Sequence, residues 1–341
     1  MRILILTQAV DLDDPVLGFF HQWIVRIAGQ CEQVHVVCLK EGRHNLSQNV
    51  TVHSLGKDLG LSRLQYVVRF YTYIWTLRRE YDVVFVHMNQ EYVILGWKLW
   101  WILGKRIVFW RNHKNGSWLT RFAAFVSHRV CYTSPKAYVA TYKNAVRMPV
   151  GIDTDLFRPC DNVPIQNAVL FLGRFDAVKR PELFLEAMEI LSRDDRVMYA
   201  HVYGEATRGR EHYAREVRER FAHLTNVTFF GAVRNDEAPV IYAHHRVYVN
   251  LTPAGSFDKT ILEAAACGCL VVTANAVLRD VVPPEMFVDD MTPSSVARAV
   301  RCAFAYSESH VERLVTRQRL FVEHEHSLDL LITRLMGILS A

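Results

Sequence analysis

Short unbroken apolar runs alternate with longer stretches of helical periodicity. In the first half the runs are 2–7 (RILILT), 33–39 (QVHVVCL), 82–87 (DVVFVH) and 106–110 (RIVFW), with helical spacing over 19–28, 61–80 and 92–103. A strand that is apolar at every position is buried on both faces, so strands alternating with helices predict a parallel sheet covered on both sides. Periodicity fades over 151–166 and restarts at 168–173 (AVLFLG), followed by a helix at 181–191, strand 197–204, helix 210–223, strand 226–231, a short helix at 235–243, strand 246–251 and strand 269–274. The predicted class is α/β, two doubly wound, Rossmann-like domains at 1–150 and 167–325 joined by a linker at 151–166. A closing amphipathic helix at 326–341 is expected to pack back on the first domain. Three strands of the second half run into Gly173, Gly204 and Gly231, where tight turns at the carboxyl edge of a sheet are expected.

Half of the 341 residues are hydrophobic, enough for two cores. Lys and Arg number 40 against 35 Asp and Glu, a formal charge of +5 that is spread along the chain. That distribution speaks against a dedicated nucleic-acid binder and suits phosphorylated small molecules or an anionic membrane surface. The 7 cysteines lie mostly in apolar runs and read as reduced core residues of a cytoplasmic protein. The start lacks the features of a secretory signal. The most apolar window, 93–110, is interrupted by Gly96, Lys98, Gly104, Lys105 and Arg106, which leaves too little length to span a bilayer.

Candidate chemistry gathers where strands end. Arg174 and Lys179 follow the strand 168–173 in GRFDAVKRP, so a guanidinium fork and a point charge converge on one loop, either around a phosphate or as a solvated basic turn. In GSFDKTILEAAACG (255–268) a small-residue loop becomes a helix former around one acid, Glu263. Thr260 and Glu263 fit a capping box. The same geometry offers helix N–H groups to an anion and a carboxylate to two ribose hydroxyls. His113, in the polar loop WRNHKNGSW, ranks above His87, which ends its strand. The triplets Asp11-Leu-Asp13 and Asp153-Thr-Asp155 are assigned mainly to turns and caps, although such triplets can hold a divalent cation. There is no Walker A loop, no G-x-G-x-x-G after the first strand and no Cys/His set with zinc spacing.

GRFDAVKRP, VYG, NVTFFGAV and GSFDKTILEAAACGCLVVTAN, in that order and at these separations, resemble the C-terminal domain of family 4 retaining glycosyltransferases of the GT-B fold. MPVGIDTDLFRP looks like the interdomain segment of that family, and the match extends over about 146–290. The resemblance implies two Rossmann-like domains facing a cleft. It matches Arg174 and Lys179 to the pair that holds the donor diphosphate, Glu263 to the ribose-binding acid, His113 to a histidine near the transferred sugar, and Gly18 to an N-terminal glycine loop near the phosphates. It implies that Glu263 both caps its helix and accepts sugar hydroxyls. The family's first motif glutamate, eight residues before the second, is replaced here by Gly255. Ser256, Phe257, Asp258, Lys259 and Thr260 complete the expected substrate-binding loop, with Asp258 or Lys259 standing in for the missing acid.

The resulting expectation is a metal-independent, cofactor-free transferase that moves a sugar from a UDP- or GDP-sugar to a hydroxyl acceptor, glycan or lipid-linked, with His113, Arg174 and Lys179 as catalytic residues. Its partners are the donor and acceptor and no nucleic acid. Aromatics mixed with Arg and Lys in 61–80 and 99–106 add a peripheral contact at the inner face of the membrane. The alternatives are a nucleotide-sugar-binding protein that has lost transfer, a nucleotide-sugar epimerase of the same fold, and a metal-dependent enzyme using Asp11 and Asp13.

Overall fold

A computed structural model of the chain describes residues 1–14, 16–160, 166–194, 198–206, 209–253 and 258–341. It divides into two compact units, residues 1–151 with 328–341, and residues 152–327.

Unit 1 opens with β1 (Arg2–Val10), α1 (Phe20–Ala28), β2 (Gln33–Glu41), β3 (Val50–Ser54) and α2 (Arg63–Thr76). It continues through β4 (Val83–His87), α3 (Gln90–Ile102), β5 (Arg106–Trp110), α4 (Trp118–Val126), β6 (Arg129–Tyr132) and β7 (Ala145–Arg147). The seven strands are all parallel, in the order β3-β2-β1-β4-β5-β6-β7. Ile3 and Ile5 face one core with Trp23 and Ile24 of α1, while Leu4 and Leu6 face a second with Phe70 of α2 and Trp100 of α3. Burial on both faces is why β1 shows no polar alternation. Helix starts are fixed locally: Ser62 and Gln65 form a reciprocal capping box at α2, with Ser62 N–H donating to Gln65 Oε1 at 2.8 Å. That arrangement satisfies two otherwise orphaned amides.

Unit 2 runs β8 (Gln166–Leu172), α5 (Pro181–Leu191), β9 (Tyr199–Tyr203), α6 (Glu211–Arg220), β10 (Val227–Phe230) and α7 (Ala238–Ala243). It ends with β11 (His245–Asn250), α8 (Lys259–Ala266), β12 (Leu270–Thr273), α9 (Pro293–Ala305) and α10 (Glu308–His326). Its five strands are parallel in the order β10-β9-β8-β11-β12. The last helix, α11 (Leu328–Ser340), belongs to unit 1, where Leu328, Leu331, Ile332 and Leu335 join the core of Trp23 and Ile24. Arg106 donates to the carbonyls of Ile338 and Leu339, satisfying backbone groups of its final turn.

In each sheet the first strand has the second on one side and the fourth on the other. The strand order therefore reverses between β1 and β4 and between β8 and β11, and ligands of open α/β sheets bind at the carboxyl ends of strands at such reversals. The fold is the expected pair of parallel-sheet α/β domains, with some corrections. The strands β3, β6 and β7 escaped the pattern reading; β7 is 3 residues long and β3 is half-buried along most of its length, so neither produces an apolar run. Of the three strand-end glycines only Gly204 has positive φ, +145°, and a Cβ there would lie 1.9 Å from Gly173 O. Gly173 and Gly231 are not required by backbone conformation. Among the described residues no helix is long and apolar enough to cross a membrane.

Candidate functional site

The reversal point of unit 2 is built from the loop after β8 and the loop after β11. Lys179, in the first, and Asp258, in the second, form an ion pair whose side chains are 13% and 9% exposed. Asp258 Oδ2 also accepts from Asn250 Nδ2 at 2.8 Å and from Thr252 Oγ1 at 2.9 Å, and Oδ1 accepts from Thr260 Oγ1 at 2.9 Å. The donors are themselves held. Tyr248 OH donates to Thr260 Oγ1 at 2.8 Å, and Asn250 Oδ1 accepts the Thr252 N–H at 3.0 Å. Burial pushes the Asp258 carboxyl up, but the charge of Lys179 and the hydrogen bonds from Lys179, Asn250 and Thr260 outweigh it and hold it at about 2.

Asp258 is the residue before the first turn of α8, and its side chain makes no capping bond to a backbone amide. Because α8 begins at Lys259, Thr260 is its second residue and Glu263 its fifth. This corrects the capping-box expectation: Glu263 sits two residues too deep to cap. It is instead 6% exposed. Burial raises its carboxyl, opposed by the charge of Lys259 one turn earlier and by a hydrogen bond from Asn235. Burial likewise lowers the half-buried Lys259 ammonium, which Glu263 opposes. The uncapped start of α8 leaves leading amides and the positive end of a helix dipole at the same edge.

Arg174 is exposed, and among the described residues its guanidinium has no partner. Arg180, two residues before Glu182 and directly after Lys179, adopts a left-handed conformation, φ 54° and ψ 51°, ahead of Pro181 at the start of α5. A non-glycine residue held there is strained, and such strain concentrates at functional sites.

In unit 1 the reversal point is packed differently. His87, at the end of β4, is 1% exposed, stacks on Phe20 at 3.9 Å between ring centroids and lies 3.4 Å from Thr7 Oγ1, so it is a core histidine. Gly18, in the loop after β1, is required sterically, since a Cβ would lie 2.8 Å from Asp14 O and 3.0 Å from Leu12 O. His113 is exposed in the loop after β5, one strand further along, with Nδ1 3.0 Å from the backbone N and O of Asn115. That loop is anchored by Asn112 Oδ1, which accepts the N–H groups of Thr133 and Ser134 at 3.1 and 2.9 Å. Asp11 accepts from Lys40 at 3.0 Å and Asp13 from Arg43 at 2.7 Å, while Asp153 Oδ1 accepts the N–H groups of Asp155 and Leu156 at 3.2 Å as a turn. Among the described residues no group of three or more His, Cys, Asp or Glu is placed to hold a metal ion.

The expected loop residues Gly255, Ser256 and Phe257 lie outside the described residues. Arg174 and Lys179 share one loop, Lys179 meets Asp258, which Thr260 also holds, and Glu263 and Lys259 lie one turn apart. Tyr248, Asn250 and Thr252 were missed. Their signal is the pair of polar residues, Asn250 and Thr252, that ends an otherwise apolar strand.

Residues 166–305 match the family model of glycosyl transferases group 1. The chain is 27% identical over 192 residues to a D-inositol 3-phosphate glycosyltransferase of Geodermatophilus obscurus, covering 50% of this chain and 42% of that protein. A protein of the same description from Segniliparus rotundus is 28% identical over 148 residues, 40% of this chain and 33% of its own. The match therefore spans less than half the length of these curated relatives. In fold, the chain superposes along 100% of its length and of the partner's on Anabaena HepE, crystallised with UDP and glucose, with TM-score 0.78 and 16% identity. The sucrose-phosphate synthase of Thermosynechococcus elongatus gives TM-score 0.75 and 17% identity over 99% of this chain and 98% of its own. These likenesses establish the GT-B fold.

Proposed function

With residues 166–305 constituting a group 1 glycosyltransferase domain, we propose that the protein is a retaining glycosyltransferase that moves a sugar from a UDP- or GDP-sugar to a hydroxyl of a glycan or lipid-linked acceptor. One observation carries the reading: at the reversal point of unit 2, Lys179 is held by Asp258 at the start of α8, Arg174 lies in the same loop as Lys179, and a buried acid, Glu263, stands in α8. HepE, of like fold, binds UDP and glucose.

Breaking the bond between the anomeric carbon and the diphosphate leaves the electron pair on the diphosphate and positive charge on the sugar. Arg174, Lys179 and the α8 amides stabilise the first charge, and fixed donors of this kind lower a barrier because they need no reorganisation as charge develops. The acceptor oxygen then bonds to the anomeric carbon on the face the diphosphate leaves. Its proton passes to the departing diphosphate oxygen, so charge and atoms balance without a metal. Glu263 accepts the ribose hydroxyls. His113, exposed at the strand edge of unit 1, supplies a hydrogen-bonding nitrogen for acceptor or sugar, and Gly18 keeps the loop after β1 close to its own backbone. The replacement of a glutamate by Gly255 favours, as a second reading, a nucleotide-sugar-binding protein without transfer.

A thermal-shift screen of UDP, GDP and ADP is the first test, since a ligand that binds only the native state raises apparent stability. The donor reading expects UDP or GDP to stabilise the protein; no response to either rejects it. Release of the matching nucleoside diphosphate from its sugar, across a panel of acceptors and in the presence of chelator, then separates transfer from binding alone. Conversion of the sugar while still attached to the nucleotide would point to an epimerase.

We also propose that unit 1 touches anionic membrane. Leu64, Val68, Tyr71 and Trp75 are 41–74% exposed at helical intervals along the outer face of α2, opposite buried Phe70 and Ile74. Tyr71 OH donates to Leu95 O of α3 at 2.9 Å, and Trp101 and Ile102 at the end of α3 are each 74% exposed. Arg78 lies 4.3 Å over the Trp75 ring, the mixture of aromatic and basic groups suited to an interface. Co-sedimentation with vesicles containing phosphatidylglycerol at low salt should retain the protein, and its absence from the pellet rejects this contact.

A further inference from the structure

Asp258 stands three residues after the position of the missing acid, and its simplest role would be to replace that acid against the sugar. The geometry points elsewhere: we propose that Asp258 is a positioning residue that fixes Lys179 for the donor diphosphate. This rests on the donor reading above.

A carboxylate offers about four lone-pair sites. In Asp258, Lys179, Asn250 and Thr252 crowd Oδ2, while Oδ1 accepts from Thr260 and keeps one lone pair. The carboxylate is therefore committed mainly to protein donors, with Oδ2 fully used. None of these donors is loose: Asn250 ends the inner strand β11, Thr252 follows it, and Thr260 lies in the first turn of α8 and is held by Tyr248 OH. Asp258 is thus the hub through which β11 and α8 grip a residue of the β8 loop. Lysine is a point charge on a long stem with roughly 2 kcal/mol of rotamer entropy. Here that stem passes over Gly173, with Cδ 3.7 Å from the place a Cβ would occupy, and the ammonium is tethered at its tip. An ammonium carries three N–H donors, so one bond to Asp258 leaves two for phosphate oxygens.

The alternative roles separate in a double-mutant cycle, which isolates the coupling between two residues. The affinity for UDP or GDP, whichever stabilises the wild type, is measured by calorimetry for wild type, Asp258→Asn, Lys179→Met and the double variant, with thermal shift at millimolar nucleotide for weak binders. A residue that acts through Lys179 should lose about tenfold in affinity on Asp258→Asn when Lys179 is present, and less than twofold when it is methionine, by the non-additivity expected of groups in contact. An equal loss in both backgrounds, or no loss in the first, overturns the positioning role and leaves the donor reading standing. Failure of the wild type to bind either nucleotide overturns the donor reading and this role with it. If Asp258→Asn does not fold, Asp258→Glu carries the same cycle, because it keeps the charge but displaces its anchor point, and it too must lose affinity only while Lys179 is present.

Discussion

The two units share a strand order and differ at the one place where that order gives a sheet its binding site. In unit 2 the reversal between β8 and β11 holds a buried ion pair, four hydrogen-bond donors around one carboxylate and a second buried acid. In unit 1 the reversal between β1 and β4 is closed by ring packing, with His87 on Phe20, and the polar group of interest, His113, is exposed one strand further along. Ion pairs mark the same contrast: Lys179 and Asp258 are both largely buried, whereas Lys40, the partner of Asp11, is 44% exposed. A rigid, desolvated charge cluster suits a ligand whose chemistry never varies, such as a diphosphate. An open edge suits an acceptor, whose shape differs from one enzyme of this fold to the next.

The contrast can be tested from its strongest expression downward. Asp258→Ala should destabilise unit 2 by about 3–5 kcal/mol in denaturant unfolding, because it strands a buried ammonium, while Asp11→Asn in unit 1 should cost no more than about 1 kcal/mol. Equal costs would erase the difference. The native Asp258 carboxyl lies below its ordinary value of 3.8, at about 2. Its stabilisation is therefore complete above pH 3.8 and disappears as pH falls through about 2. Arg174→Ala should lower kcat about a hundredfold with unchanged melting, and near-normal donor turnover would remove Arg174 from the site.

Glu263 offers a milder handle. Its buried carboxyl is raised, so the ionised form that would accept ribose hydroxyls under the proposed function is depleted as pH falls through that raised value. Nucleoside diphosphate affinity should then weaken by up to about tenfold per pH unit on the acid side, and Glu263→Gln should flatten the profile; a flat profile in the wild type would contradict this role. The smallest effect is local. Arg180→Gly should raise stability by about 1 kcal/mol by relieving the left-handed backbone, measured as a shift in the denaturation midpoint, and no gain would mean that the loop already compensates.

Both sheets are written in the sequence because most inner strands are apolar runs, and β1 and β8 need no tertiary information to be recognised; the inner strand β6 is only 4 residues long and opens on an exposed arginine. The edge strands β3 and β7 are not, since a half-buried or three-residue strand leaves no periodicity to detect. At the site, Arg174, Lys179 and Glu263 follow from their places after strands. The depth of Glu263 in α8 did not, because a capping box at Thr260 and a helix starting two residues earlier share the same letters, and only the chain's entry into the helix decides between them. The Asp258 hub was hidden for a different reason: it joins residues 79 positions apart, and pairing over that distance exists only once β8 and β11 lie side by side.

The position of α11 has a consequence for biosynthesis. Unit 2 is an insertion within unit 1, since Leu331 and Leu335 complete a core begun by Ile3 and Trp23. On the ribosome, that apolar surface stays partly uncovered while all of 152–327 is made, and it closes only when 328–341 emerges. Of the two units, the one begun first is closed last, and its exposed apolar surface is an aggregation hazard while 152–327 is made.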